Sequence, residues 1–154
     1  MSLTRLFLHE RTVEIFLRIL KAEENGEKVY PLQISTDVGS PYSYVSKVLG
    51  ELEKCSLVES KSEGRMRVLS LTPYGKAVAE MLRDLYEELK KDFSSRMKLD
   101  ILKNVYAKAN GDLRIYLPVM AELEMLVKST KDEFVVEEAK KLISEVKERI
   151  EGKT

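Results

Sequence analysis

Five neighbouring residues, Tyr42, Ser43, Tyr44, Ser46 and Lys47, offer hydroxyl and ammonium donors without a single carboxylate among them. They belong to SPYSYVSKVLGELE, residues 40–53, in which Val45, Val48, Leu49 and Leu52 recur at helical spacing as an apolar stripe. The donors therefore fall on the outer face, where the rest of the chain carries Glu and Lys. Such a face hydrogen-bonds to phosphate oxygens, whereas a glutamate-rich one repels them. Alternatively, it is a solvated face whose tyrosines pack on a neighbouring helix. A second basic group follows at Lys61, Arg65 and Arg67. Strand alternation puts Arg65 and Arg67 on one face, opposite Met66. That group is either an anion-holding tip or an ordinary charged hairpin.

Catalytic chemistry finds little support. His9 is the only histidine and Cys55 the only cysteine, too few for a zinc site of the usual kind. There is no phosphate-cradling glycine loop and no G-x-S-x-G nucleophile motif. Carboxylates are spread along helix faces four residues from lysines, as surface pairs are. The sequence points away from an enzyme and implies no cofactor or metal. Cys55 reads as a small core residue late in a helix and fits a reducing, cytoplasmic setting.

The chain of 154 residues carries 26 basic and 26 acidic side chains, with 44% hydrophobic content. This allows one compact domain, or a small domain with an appendage, and a real core. The charge is balanced in each half, so any polyanion site must be a local patch. Over residues 40–67 the balance is only +1. No apolar run approaches the roughly 20 residues that span a bilayer, and the N-terminus mixes charges too early for a secretory signal.

These residues need elements to hold them. Leu6, Val13, Phe16, Leu17 and Leu20 predict a helix over 5–24, closed by Asn25-Gly26. A short extended piece at 28–30 leads to Pro31, which opens a helix running to Val38. Gly39 breaks it, Ser40 caps the next helix and Pro41 takes its first position. After Cys55 the period becomes alternating, predicting strands at 57–61 and 66–71 joined by a polar turn at 62–65. Thr72-Pro73 starts a helix with the seam Val78, Met81, Leu82, Leu85, Leu89 and Phe93. The remainder is helical. A joint is expected at Ser94-Ser95, then a segment with Leu99, Leu102, Val105 and Tyr106, and a break at 110–112. Pro118 starts or kinks the next helix, and a last helix runs over about 133–150. The stripe Tyr116, Met120, Leu123 and Val127 faces either a partner chain or the interior.

The order helix, short strand, helix, tight turn, helix, hairpin, helix resembles the winged helix-turn-helix transcription regulators, most closely the MarR-like group, over roughly residues 13–89. Ser35, Gly39, Val45 and Val48 stand at the spacings of that motif: a small residue at the helix crossing, a turn glycine and two apolar anchors. SLVES, RVLSLTPYGKAVAEML and above all LTPYGKAV resemble the family's path from recognition helix through wing to dimerisation helix. Two positions depart from it. Ser56 stands where the family often has glycine, and Gly50 lies inside the recognition helix.

The resemblance implies a mainly α fold with a small hairpin: a winged domain over 1–75, then a helical dimerisation or packing region over 76–154. It implies a sequence-specific, cytoplasmic, prokaryotic regulator of transcription that binds double-stranded DNA as a homodimer through C-terminal helices. Ser40, Tyr42, Ser43, Ser46 and Lys47, with Tyr44 on the flank, would enter the major groove, and Lys61, Arg65 and Arg67 would hold the adjacent backbone. So few basic contacts predict weak binding by a monomer and useful affinity only from a dimer on two half-sites. The alternative is a winged helix used for protein–protein interaction within a larger assembly, which the neutral charge favours.

Overall fold

A computed structural model describes residues 2–152. They form two compact units that divide between Leu89 and Lys90. The first comprises α1 (Leu3–Phe7), α2 (Glu10–Glu24), α3 (Pro31–Val38), α4 (Tyr42–Lys54), β1 (Val58–Glu63), β2 (Met66–Leu71) and α5 (Pro73–Leu89). The second comprises α6 (Phe93–Lys108), α7 (Leu113–Ser129) and α8 (Glu133–Glu151). The architecture is mainly α with one antiparallel hairpin, in winged-helix order.

In the first unit the single helix expected over 5–24 is two. The chain leaves the helical conformation at His9, which is extended (φ −94°, ψ 123°). This break turns α1 back so that Leu6 is buried and Phe7 packs on Phe16, ring centroids 5.2 Å apart. Phe16, Ile15, Ile19 and Leu20 from α2 then meet Ile34 of α3 and Val45, Val48, Leu49 and Leu52 of α4. Each fully buried side chain of this size contributes about 1.5–3 kcal/mol.

The turn between α3 and α4 is held from both sides. Gly39 takes the left-handed conformation (φ 67°), which glycine adopts at no steric cost. The Ser35 hydroxyl donates to the Ser40 carbonyl at 2.6 Å, and Arg11 donates to the Val38 carbonyl at 2.6 Å. Ser40 is consequently buried, and Pro41 rather than Ser40 occupies the N-cap, with no side-chain cap bond. The expected Ser40 cap is thus corrected, because the close approach of the two helices draws Ser40 inward.

The hairpin pairs Val58 with Leu71 through Glu63 with Met66, so Gly64 and Arg65 alone make the turn. Val29 adds the short extended piece by a single bridge to Leu69. Past the hairpin, Thr72 accepts from the Gly75 N–H at 2.9 Å and donates to the Ser56 carbonyl at 2.6 Å. A Cβ on Gly75 would lie 1.8 Å from the Leu57 carbonyl oxygen, so this close packing admits only glycine. Ser56 has φ 60°, which explains why glycine suits its position.

The boundary between units falls later than the 75/76 expected from sequence. Ala79 is buried in the first core, and Val78 and Leu82 pack against it. Phe93, expected in the seam of α5, instead begins α6.

The second unit is a three-helix arrangement around Leu99, Leu102, Tyr106, Tyr116, Val119, Leu123, Leu126, Val135, Ala139, Leu142 and Val146. Asp92, Asp112 and Asp132 cap α6, α7 and α8, each accepting from a backbone N–H of the first turn. Asp132 also binds Arg96 at 2.7 and 3.1 Å, while Thr130 donates to Asp92 at 2.8 Å. Pro118 lies inside α7, which begins at Leu113 and continues through it. The stripe Tyr116, Met120, Leu123 and Val127 is internal: Tyr116 and Leu123 are fully buried, and the other two pack against that core.

Candidate nucleic-acid interface

Pro41 places the start of α4 at the surface, and the buried stripe of that helix fixes its rotation. Tyr42, Ser43, Ser46 and Lys47 are consequently exposed on one face. Their spacing of one and four residues keeps them adjacent on the helix surface. The first turn of α4 contains no acidic residue, and its uncapped N–H groups add a partial positive charge. Two expected members differ from this group. Tyr44 is half-buried and packs on the first core. Ser40 is buried in the turn and held by Ser35, so its side chain is not on this face.

The hairpin stands beside α4, and two of its five charged side chains, Glu63 and Arg67, are paired with residues outside it. Lys28 meets Glu63 at 2.9 Å, which raises the lysine pKa through the hydrogen bond and the carboxylate charge. Arg67 meets Glu53, near the C-terminal end of α4, at 2.9 Å. Lys61 and Arg65 remain exposed, with no acidic partner among the described residues. Arg65 lies in the turn, as expected, so strand alternation does not fix its face relative to Arg67.

Tyr30, Pro31, Leu32, Tyr42, Arg65, Met66 and Arg67 line a groove of about 200 Å³ between the start of α3, the start of α4 and the hairpin. The structure thus brings Tyr42 together with Arg65 and Arg67. Sequence reasoning missed Lys28, Leu32 and Met66. Leu32 and Met66 are 66% and 52% exposed, and the available signal was an apolar residue out of phase with its own helix or strand stripe.

Among the described residues, no group of three or more His, Cys, Asp or Glu could hold a metal ion. His9 is exposed at the start of α2, and Cys55 is half-buried at the end of α4. No helix among them is long and apolar enough to cross a membrane.

The fold and this exposed helix–hairpin pair define a winged helix-turn-helix protein. No protein-family model matches the chain. An uncharacterized protein of Archaeoglobus fulgidus is 30% identical over 88 residues, covering 57% of this chain and 93% of the relative. The chain belongs to the same family as that archaeal protein. The crystal structure of AF1382 from A. fulgidus is similar with a TM-score of 0.53 and 30% identity, over 57% of this chain and 99% of that one. The Staphylococcus aureus MepR–DNA complex is similar in fold, with a TM-score of 0.50 and 16% identity over 68% of this chain and 84% of MepR.

Proposed function

We propose that this protein is a sequence-specific, double-stranded DNA-binding regulator of transcription, of MarR-like type. One observation carries this reading: the acid-free, exposed face of Tyr42, Ser43, Ser46 and Lys47 lies beside an unpaired basic hairpin tip. In a winged helix that face enters the major groove and the tip lies over the adjacent backbone. MepR, similar in fold, is a transcription regulator and has been crystallised with DNA. Lys61 and Arg65 hold the flank, and Tyr42 and Ser43 contribute to sequence preference.

A homodimer fits the same reading. On α6, Phe93, Met97, Ile101 and Val105 form an exposed apolar stripe at four-residue spacing, and α5 exposes Met81, Leu85 and Leu89. Pairing of two copies through either of these helix faces would give two copies of α4 for two half-sites.

Selection of bound duplexes from a random library, at low and near-physiological salt, tests the proposal. Enrichment of a roughly palindromic motif is the expected result. Tyr42→Ala and Ser43→Ala should then relax preference at single positions, each base contact being worth about 1–3 kcal/mol. The groove with exposed Leu32 and Met66 favours a second reading, docking of a protein partner. Absence of enrichment at either salt would move the assignment to that reading.

A further inference from the structure

We infer that Glu53 is a positioning residue that withholds Arg67 from the DNA backbone, so that the hairpin binds through Lys61 and Arg65 alone. The inference rests on the DNA-binding reading above.

Three basic side chains lie at or near the hairpin tip, but only two are electrostatically available. The Arg67 guanidinium donates to the Glu53 carboxylate at 2.9 Å. Their side chains are 46% and 31% exposed, so the pair lies at the surface within reach of a ligand. Glu53 projects from the last turns of α4, whose Leu49 and Leu52 are buried in the core. The carboxylate is thus anchored on a rigid element, whereas Arg67 lies near the free end of a two-stranded hairpin. Arg67 is held to α4 by this pair, setting the hairpin against the helix whose opposite end carries the donor face. Its charge is cancelled locally, and it takes no phosphate of its own. Lys61 and Arg65 carry no such partner among the described residues.

Salt dependence reads this directly, because each phosphate neutralised adds about 0.9 to the slope of log affinity against log salt. The 154-residue protein and the variants Glu53→Gln, Arg67→Gln and Glu53→Gln/Arg67→Gln are titrated with one duplex between roughly 50 and 200 mM salt. Arg67→Gln alone should leave the slope unchanged. Glu53→Gln should free Arg67 and steepen the slope by about 0.9, so that its advantage over the parent shrinks roughly 3.5-fold across that range. The double variant should return to the parental slope. If Arg67→Gln instead lowers the slope equally in both backgrounds, Arg67 already contacts phosphate and the role given to Glu53 is overturned. If none of the four proteins binds any duplex, the DNA-binding reading itself fails.

Discussion

The two units close their cores by different chemistry. The first relies on backbone conformation: Gly39 in the left-handed turn, Ser56 at φ 60°, and Gly75 against the Leu57 carbonyl. Its loops are shaped by sterics, with Thr72 and Ser35 supplying short local hydrogen bonds. The second has its own left-handed turn at Asn110 and Gly111 but adds carboxylates at its helix starts. Asp92, Asp112 and Asp132 cap all three helices, and two of them are tied together where α6 and α8 begin. Steric closure is insensitive to pH but intolerant of one added carbon. Carboxylate closure tolerates side-chain change at the surface but depends on ionisation.

The comparison can be broken first at Gly75. Gly75→Ala forces a carbon onto a backbone oxygen that cannot swing away, and should cost the first unit about 3 kcal/mol. Denaturant unfolding followed by residue-resolved NMR should show α2–α5 melting early, while α6–α8 keep their parental midpoint. An equal loss in both units would show that they do not unfold independently.

Acid should act on the other unit. Hydrogen bonds from Arg96, with the backbone N–H of Asp92, hold the Asp132 pKa at about 2 against the ordinary 3.8. Hydrogen bonds from Ser95 and Thr130 lower that of Asp92, and those from Lys103 and Lys141 lower that of Glu138. A folded-state pKa below the unfolded value stabilises the fold above the unfolded pKa. That contribution is lost as pH falls from about 4 towards about 2. Resonances of α6–α8 should therefore broaden or shift in this window before those of α2–α4. Asp132→Asn should flatten the dependence, and an unaltered acid profile in that variant would remove Asp132 as its source.

The smallest effect sharpens the comparison. Ser56→Gly removes the penalty of a left-handed non-glycine residue, about 1–2 kcal/mol, and restores unfolded-state freedom worth about 0.4–1 kcal/mol. A net gain of about 0.5–1 kcal/mol is expected in the thermal stability of the first unit. A loss would mean that the serine side chain makes a compensating contribution.

Much of the first unit was legible because its signals are local. Pro31, Gly39 and the spacing of Val45 and Val48 specify a helix pair with a tight turn, and the change of period after Cys55 specifies the hairpin. The break at His9 was not legible, since residues on both sides of it have helical spacing and only the contact of Phe7 with Phe16 requires it. The donor face of α4 was largely legible for the same local reason: its buried stripe sets its rotation. Tyr44 lies on the flank as expected, but Ser40 was misplaced because whether a residue at the turn is covered depends on how the two helices approach.

What the sequence determined by itself is the order of the elements from α2 onward and the outward direction of Tyr42, Ser43, Ser46 and Lys47. These follow from helical and strand periods, which are properties of the backbone. Tertiary structure alone decided which charges remain available. Glu53 and Arg67, and Lys28 and Glu63, meet only when α4 and the extended segment carrying Val29 dock beside the hairpin. It also turned the stripe of Tyr116 and Leu123 inward and left that of Phe93, Met97, Ile101 and Val105 exposed. Periodicity defines a face, but only the packing of other helices determines which face is covered.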